Sequence, residues 1–209
     1  MQMFISFEGT EGAGKTTQIS NVSRELISLG YKVLKTHEPG GTLIGEEIRG
    51  ILLNSNNTAM EPITELLLYN AARNQHIKEK IIPALKDNII VLTDRFSDST
   101  IAYQGYGRGI DLDIIMALDN IATMGLRPDI TFLLDIEDID VGLKRNLEIK
   151  KTDRFELEEI EFHKKVRAGF LKIAEREPSR FIILDGKMPL IELSNKIINI
   201  IKERLNVIK

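Results

Sequence analysis

Apolar residues along this chain fall into short runs separated by longer periodic stretches, and the two patterns predict strands and helices in turn. Runs that are apolar almost throughout are typical of strands buried on both faces, and alternation of polar and apolar residues is typical of a half-buried strand. The predicted strands are 3–7, 31–36, 89–92, 130–135 and 181–185, of which 31–36 alternates.

Between the strands, apolar residues recur every three or four positions, which is the spacing of one helix face. Gly30 is expected to end the first helix, and Gly105, Gly107 and Gly109 are expected to interrupt the fourth. The predicted helices are 15–29, 43–53, 62–85, 97–104, 112–124, 155–176 and 190–205. Strands that alternate with helices throughout predict an α/β fold, a three-layer doubly wound domain around a five-stranded parallel sheet.

The composition is that of one globular domain of 209 residues, because 43% of the residues are hydrophobic and 28% are charged. A net charge of −3 offers no general basic surface, so we expect no nucleic-acid partner. The chain has no cysteine, no apolar run near the ~18 residues that span a bilayer and no basic segment ahead of its first apolar run. We therefore expect a cytoplasmic protein without a membrane partner.

One stretch departs from this pattern, because its polarity rises between 141 and 154. Five cations fall within eleven residues there: Lys144, Arg145, Lys150, Lys151 and Arg154. We interpret the segment at about 142–156 as a flexible basic lid on a single domain 1–209, with a solvated loop as the alternative for its lysines.

The strongest chemical signal is the run from Gly9 to Thr16, which reads G-x-x-x-x-G-K-T between the first predicted strand and the first predicted helix. In that context the pattern is typical of a loop whose backbone N–H groups cradle phosphates, and a Gly-rich turn ahead of a lysine is the alternative. Lys15 would reach the outer phosphates of a nucleoside triphosphate, and the Thr16 hydroxyl would help to hold Mg²⁺. The predicted phosphate-binding positions are Gly9, Thr10, Glu11, Gly12, Ala13, Gly14, Lys15, Thr16 and Thr17.

Charged residues follow two further predicted strands, at the edge where ligands bind in open α/β sheets. Glu38 comes after the second strand, and Asp94 and Arg95 come directly after the third. Tyr69 and Arg73 lie four residues apart and therefore share one face of the third predicted helix. These positions favour a binding site at the carboxyl edge of the sheet.

Several blocks of the chain resemble the thymidylate kinases, P-loop enzymes that phosphorylate dTMP to dTDP with ATP. The most specific block runs from Leu92 to Gln104, and further similar blocks are 7–18, 38–42, 71–73 and 153–156, in the family's order over most of the chain. The resemblance implies a P-loop NTP hydrolase-like nucleotide kinase in dTTP synthesis. It further implies an ATP:dTMP phosphotransferase that uses Mg²⁺ and forms a homodimer.

For the transferred phosphate, the resemblance implies catalytic roles for Lys15, Asp94 and Arg95. Arg95 matches an arginine that contacts the acceptor phosphate and bridges toward the donor, with a surface salt bridge to Asp94 as the alternative. Asp94 matches a carboxylate linked to Mg²⁺ together with Thr16, and a helix N-cap is a compatible structural role.

The resemblance also implies a set of acceptor contacts. Glu11 corresponds to an acidic residue near the sugar 3′-hydroxyl and Arg49 to an arginine that grips the acceptor phosphate, with surface charge as the alternative for both. Tyr69 takes the place of a ring that stacks on thymine, unless it is a core residue, and Arg73 that of a side chain bonded to the pyrimidine edge. The remaining implied positions are Glu38 near the phosphate or its metal, Ser99 on the acceptor side, Thr100 and Gln104 facing the base, and Tyr103 against the sugar. A core-facing position on a helix is the alternative for Thr100, Tyr103 and Gln104.

The chain departs from one branch of the family, whose members carry arginine where Gly12 stands. The other branch places its catalytic arginines in the lid, so Arg145 or Arg154 is expected to close over the donor phosphates. Leu147 and Ile149 occupy positions where some relatives have arginine. The neighbouring lysines lack arginine's planar fork and are not equivalent replacements.

Two other functions stay open from the residues. A deoxynucleoside kinase shares the phosphate loop and an Asp-Arg pair, and it would need a carboxylate such as Glu38 to take a proton from a 5′-hydroxyl. The second alternative is a nucleotide-operated switch that binds protein partners. Guanine-specific switches usually carry Asn-Lys-x-Asp, but Asn195 and Lys196 are followed here by two isoleucines, which argues against this alternative.

Overall fold

The sheet is described by a computed structural model that covers residues 2–147, 154–155 and 158–207. The strands are β1 Met3–Glu8, β2 Val33–His37, β3 Ile90–Asp94, β4 Ile130–Asp135 and β5 Phe181–Asp185. They pair in the order β2-β3-β1-β4-β5, and every pairing is parallel. The predicted α/β class with a five-stranded parallel sheet is therefore confirmed.

Helices connect the strands and cover both faces of the sheet. They are α1 Lys15–Ser28, α2 Leu43–Leu53, α3 Pro62–His76, α4 Ile82–Lys86, α5 Ser97–Thr100, α6 Leu112–Thr123, α7 Ile139–Leu147, α8 Ile160–Arg176 and α9 Leu190–Val207. Two π-helical segments, Ile77–Ile81 and Ile101–Gly107, join α3 to α4 and extend α5. No helix in the described ranges is long and apolar enough to cross a membrane.

Successive residues of each strand enter different layers of the core, because strand side chains alternate between faces. Ile5 and Phe7 pack with buried residues of α1 and α9, such as Leu26 and Ile201. Phe4 packs in a separate cluster with Ile77, Ile81 and Phe96. The central strand β1 is fully buried along its length, and the loop that follows it is held on a rigid base.

The pairing register brings two chemical segments together. Phe7 of β1 lies opposite Asp94 of β3, so the phosphate loop after β1 begins beside the residues that follow β3. The carboxyl end of β2 reaches the same edge, where His37 lies opposite Asp94. This edge is where open parallel sheets bind ligands.

Two helix predictions are wrong in their bounds. α8 begins at Ile160 and not at 155, because Phe155 is buried by ring contacts with Tyr103 and Phe162 and not by lying on a helix face. The helix from Ser97 also runs past Gly105 to Gly107. Those glycines permit close packing, since a Cβ at 105 would lie 2.7 Å from Leu112 and one at 107 would lie 2.7 Å from Phe162.

The segment predicted as a lid is partly helical. α7 covers 139–147, an element that the polarity of the sequence did not predict, and it contains Arg145. Lys150 and Lys151 lie outside the described residues, as do the side chains of Lys144 and Arg145.

Candidate active site

The phosphate loop takes backbone angles that favour glycine, with φ of +136° at Gly9, +69° at Gly12 and +86° at Gly14. Lys15 Nζ folds back over the loop and donates to the Gly9 carbonyl at 3.0 Å and to the Thr10 carbonyl at 2.8 Å. Burial, reinforced by the positive charge of Arg95, lowers the pKa of Lys15 to about 8. The start of α1 and this lysine together form a site suited to an anion.

Two hard oxygen donors meet beside the lysine. The Thr16 hydroxyl donates to Asp94 Oδ2 at 2.5 Å, which links the first residues of α1 to the end of β3. A hydroxyl and a carboxylate at the edge of a phosphate site are the donors that Mg²⁺ takes alongside phosphate oxygens and water. Thr16 and Asp94 therefore fit a magnesium ion shared with a bound polyphosphate.

Arg95 holds the loop from the opposite side. Its backbone has a φ of +70°, and its Nη1 donates to the Gly9 carbonyl at 2.9 Å. Its Nη2 donates to Glu11 Oε1 at 3.1 Å and to the Tyr103 hydroxyl at 3.0 Å. The ion pair of Arg95 is therefore with Glu11, whereas the alternative interpretation expected Asp94.

Glu11 is mostly buried, which rules against the alternative of a solvated loop charge. Its Oε1 accepts from the Tyr103 hydroxyl at 2.6 Å, and burial raises the pKa of Tyr103 well above its ordinary value, so the phenol stays a donor. Burial opposes ionisation of Glu11, but the neighbouring His163 ring and the charges of Arg95 and Lys15 outweigh it and hold the pKa of Glu11 well below its ordinary value.

Arg73 lies at the far end of the site and is almost completely buried. Its Nε donates to Glu38 Oε2 at 2.7 Å, and its guanidinium lies 5.5 Å from the centre of the Phe96 ring. The other oxygen of Glu38 lies 2.9 Å from His76 Nδ1. Both oxygens of Glu38 are thus engaged inside the protein, and Arg73 and His76, acting against burial, hold the pKa of Glu38 below its ordinary value.

Arg154 does not lie where the lid interpretation expected it. Its guanidinium is buried against Glu65 through a short hydrogen bond and donates from Nε to the Leu52 carbonyl at 3.1 Å. Glu65 Oε1 also accepts from Gln104 Nε2 at 2.8 Å. A buried carboxylate captures this arginine, so the geometry does not support a phosphate contact by Arg154.

One cavity of about 940 Å³ joins these groups. The predicted residues that line it are Glu11, Gly12, Ala13, Gly14, Lys15, Thr16, Thr17, Glu38, Arg49, Tyr69, Arg73, Asp94, Arg95, Ser99, Thr100, Tyr103 and Gln104. Arg154 is not among the described residues that form this lining. The carbonyls of Gly9 and Thr10 accept hydrogen bonds from Lys15, which does line the cavity.

Several lining residues have defined partners. Arg49 Nη1 donates to the Pro39 carbonyl at 2.8 Å, and Ser99 donates to Glu8 Oε2 at 2.6 Å. The half-buried Tyr69 ring lies 6.3 Å from the Phe155 ring. The Thr100 hydroxyl is buried with no hydrogen-bond partner among the described residues.

Sequence reasoning missed the residues at the other end of the cavity, where Gly186, Met188, Leu190 and Leu193 line it after β5. It also missed Glu65, although Glu65, Tyr69 and Arg73 are four residues apart and share one face of α3. His163 of α8, which lies beside Glu11, left no local signal, because only the tertiary fold brings α8 to the phosphate loop.

Comparison with known proteins agrees over nearly the whole chain. A family model described as thymidylate kinase matches residues 7–197. A thymidylate kinase of Geotalea daltonii is 52% identical over 213 residues, which cover 99% of each chain. One of Sulfurihydrogenibium sp. is 51% identical over 204 residues, which cover 98% of each chain.

A solved structure gives the same agreement in three dimensions. The crystal structure of thymidylate kinase from Ehrlichia chaffeensis superposes with a TM-score of 0.79 at 35% sequence identity. The match covers 96% of this chain and 98% of that one.

Proposed function

The chain belongs to the thymidylate kinase family and phosphorylates dTMP with ATP, and from this premise we propose that its cavity holds the two nucleotides with their phosphates meeting between Lys15 and Arg95. The observation that carries this proposal is the shared lining: Lys15, Arg95 and Arg73 all border one cavity. Lys15 and Arg95 can each bind phosphate, and Arg73 can bind the edge of a base. This set of cations suits two nucleotides that are bound end to end.

ATP occupies the end beside the phosphate loop. Its β- and γ-phosphates replace the Gly9 and Thr10 carbonyls as the partners of Lys15, and they restore the full charge that burial disfavours. The apolar residues Met188, Leu190 and Leu193 border the same end and suit the adenine ring. Thr16 and Asp94 hold Mg²⁺, which neutralises charge on the phosphates when bound.

The acceptor occupies the end that Arg73 closes. Arg49 and Arg95 take its 5′-phosphate, Tyr69 stacks on the base, and Glu11 receives the 3′-hydroxyl. The remaining contacts come from Arg73, Thr100 and Gln104 at the pyrimidine edge, and from Ser99 and Tyr103 beside the sugar. Glu38 contributes through Arg73, since both of its oxygens are occupied.

The transfer itself needs no strong base. An oxygen of the dTMP phosphate attacks the γ-phosphorus as the bond to the β–γ bridging oxygen breaks, giving dTDP and ADP without net proton transfer. Lys15 and Arg95 stabilise the charge that spreads over the moving group. A lid that excludes water prevents hydrolysis of ATP, and Arg145 is its proposed cation, while Arg154 anchors the lid to Glu65.

The geometry of Glu38 argues against a deoxynucleoside kinase, and the family match argues against a nucleotide-operated switch. A deoxynucleoside kinase would use Glu38 as the base for a 5′-hydroxyl, but that carboxylate is bonded to Arg73 and His76 and its pKa is lowered. A carboxylate held in this way is a poor proton acceptor. The family assignment leaves no support for a nucleotide-operated switch.

We further propose a cytoplasmic homodimer that forms through α2, α3 and α6. These helices pack side by side and expose the apolar residues Leu43, Ile44, Ile51, Ile63, Leu67, Ile114, Met116 and Ile121. Leu67→Glu should give a monomer by light scattering, whereas Ile191→Glu on α9 should leave the dimer intact. Equal masses for the two variants would contradict this surface.

A coupled assay of ADP release tests the function directly. With ATP and Mg²⁺, dTMP should be turned over far faster than thymidine or purine nucleoside monophosphates. Turnover of thymidine at the rate of dTMP would instead support a nucleoside kinase.

A further inference from the structure

His163 is a buried side chain that the proposed mechanism has not used. It lies on α8, its accessible surface is fully buried, and neither ring nitrogen has a hydrogen-bond partner in the described part of the chain. Its Nδ1 lies 3.4 Å from Glu11 Oε2, close enough for an ion pair but outside hydrogen-bond geometry. Buried polar nitrogens are rarely left unpaired, so this arrangement requires an explanation.

The two oxygens of Glu11 have different surroundings. Oε1 accepts from the Tyr103 hydroxyl at 2.6 Å and from Arg95 Nη2 at 3.1 Å. Oε2 is buried without a hydrogen-bond partner among the described residues, and His163 Nδ1 lies 3.4 Å from it. The carboxylate is therefore held firmly at one oxygen and loosely at the other.

Binding of the acceptor nucleotide is expected to disturb the contacts of Glu11 Oε1. Arg95 is the cation proposed for the acceptor phosphate, and its contact with Glu11 is the longer of the two at Oε1. A dianionic phosphate competes for the same guanidinium, because charge-assisted contacts to phosphate are strong. When Arg95 turns to the phosphate, Oε1 regains an acceptor site and Glu11 loses a partner.

We propose that His163 is a positioning residue for acceptor recognition, whose Nδ1–H donates to Glu11 Oε2 so that Oε1 is presented to the 3′-hydroxyl of the bound nucleotide. This inference rests on the proposed function, specifically on Glu11 as the sugar contact. His163 and Tyr103 then hold the carboxylate from both ends while Arg95 serves the phosphate. The 0.4 to 0.5 Å by which the pair exceeds an ordinary hydrogen bond of about 2.9–3.0 Å is closed by a small shift of Glu11.

The electrostatics of the pocket agree with this role. Burial opposes ionisation of Glu11, but the His163 ring, followed by the facing groups Arg95, Lys15 and Tyr103, holds the pKa of Glu11 below its ordinary value. The Phe162 ring packs edge-on at 5.5 Å from the imidazole and fixes its plane. Arg167, one helical turn further on, is engaged by Asp135 and does not compete for Glu11.

Two substitutions of similar size separate positioning from packing. Asparagine places an amide nitrogen where Nδ1 stands, whereas leucine has the same branched shape with no donor. Glutamine places its amide at the position of Nε2 and serves as a second control. All three variants are checked by thermal melting before kinetics.

The readout is discrimination for the 3′-hydroxyl, measured as the ratio of kcat/KM for dTMP to that for 3′-deoxythymidine monophosphate. Wild type should favour dTMP, His163→Leu should lose about tenfold of that ratio, and His163→Asn should recover most of it. KM for ATP should change little in any variant. If His163 had a purely structural role, its substitution would lower kcat/KM equally for both acceptors.

Distinct results overturn distinct claims. If wild type discriminates and His163→Leu discriminates as well as wild type, the positioning role is wrong while the proposed function stands. If wild type does not discriminate, the Glu11 sugar contact is wrong and the inference goes with it. If His163→Leu does not fold, equal ratios for His163→Asn and His163→Gln overturn the role of Nδ1.

Discussion

Gly12 of the phosphate loop and Gly142 of α7 pack backbone against backbone. A Cβ at Gly12 would lie 1.9 Å from the Gly142 carbonyl oxygen, and a Cβ at Gly142 would lie 2.6 Å from the Glu11 carbonyl oxygen. No side chain fits between the two segments. The first part of the segment predicted as a lid is therefore seated directly on the loop that holds the phosphates.

This contact makes Gly142→Ala a sensitive test, because Gly142 has an ordinary helical backbone and the substitution acts through steric overlap alone. Alanine must displace α7 or the loop, so we expect a loss of stability of about 1–3 kcal/mol. The accompanying shift of the loop should lower kcat by about tenfold or more. Chemical denaturation and steady-state kinetics measure both effects.

Gly50→Ala is the matched control for that substitution. Gly50 lies on α2, and within a single chain a Cβ there would meet nothing within 4 Å in the described residues. Alanine is the better helix former, so Gly50→Ala should raise stability by about 0.5–1 kcal/mol. If Gly142→Ala behaved in the same way, the close contact with the phosphate loop would be wrong.

Arg73→Ala should do more than weaken dTMP. It leaves Glu38 buried without its main partner and removes a cation that lies 3.7 Å from Asp119 Oδ1. Breaking a buried pair from one side costs about 3–5 kcal/mol, so the variant should be strongly destabilised. The double variant Arg73→Met with Glu38→Gln should regain much of that stability.

The two variants together separate folding from recognition. The proposed base contact uses the Arg73 guanidinium, so the double variant should keep a high KM for dTMP with a KM for ATP near that of wild type. Recovery of dTMP affinity along with stability would show that Arg73 acts only as a counter-ion for Glu38.

The sequence predicted what is local and missed what the fold brings together. The glycine loop, Asp94 and Arg95 follow strands directly, so chain order alone places them at one edge of the sheet. His163, Glu65 and Asp119 act on that edge from α8, α3 and α6. Their partners at the site are Glu11 for His163, Gln104 and Arg154 for Glu65, and Arg73 for Asp119. These partners lie 39 to 152 positions away in the chain, and no spacing rule links such pairs.

Arg154 of the predicted lid shows that the sequence does not predict the partner of a charged side chain. Motif similarity fixed the position of Arg154 but not its partner, and the fold supplies a buried carboxylate at Glu65. Which anion pairs with a buried cation depends on desolvation and geometry in the folded chain, and sequence alone does not give these. The prediction that a helix begins at Phe155 is wrong for a related reason, because ring packing against Tyr103 buries this residue outside any helix.

Glu8 predicts a pH dependence of stability. Its Oε1 accepts from the Phe96 backbone N–H at 2.7 Å, and burial, reinforced by the charge of Asp98, raises the pKa of its carboxyl from 4.5 to about 8. Between those values the folded protein holds a proton that the unfolded chain has released. The contribution of Glu8 to the free energy of unfolding therefore falls as pH rises from about 4.5 to about 8.

Glu8→Gln isolates that contribution, because the amide does not titrate. The melting temperature of wild type should fall relative to that of Glu8→Gln as pH rises through this window, and the difference should level off above it. Differential scanning calorimetry in buffers of constant ionic strength measures the two curves. Parallel curves would mean that the carboxyl titrates normally in the folded protein.

Lys15→Ala should remove most of the transfer activity with little effect on the fold. Lys15 bonds only loop carbonyls in the described structure, so its loss removes a ligand cation and no buried ion pair. A fall in kcat of about a hundredfold or more is expected from the loss of charge stabilisation at the phosphates. Lys202→Ala is the control, because it removes a partly exposed cation of α9 that pairs with Glu25. Unchanged turnover of Lys15→Ala would falsify the phosphate assignment.

Arg154 and Arg145 should differ in what their loss affects. Arg154 is tied to Glu65, so Arg154→Met should lower stability, and it should cost much less in a Glu65→Gln background, where the buried charge is already gone. Arg145→Met should lower kcat with little change in the melting temperature, because that arginine is the proposed lid cation. The double-mutant cycle compares wild type, Arg154→Met, Glu65→Gln and the double variant by chemical denaturation and by steady-state kinetics. The same two measurements are made on Arg145→Met. If Arg154→Met lowered kcat equally in both backgrounds, Arg154 would act on the phosphates and not through Glu65.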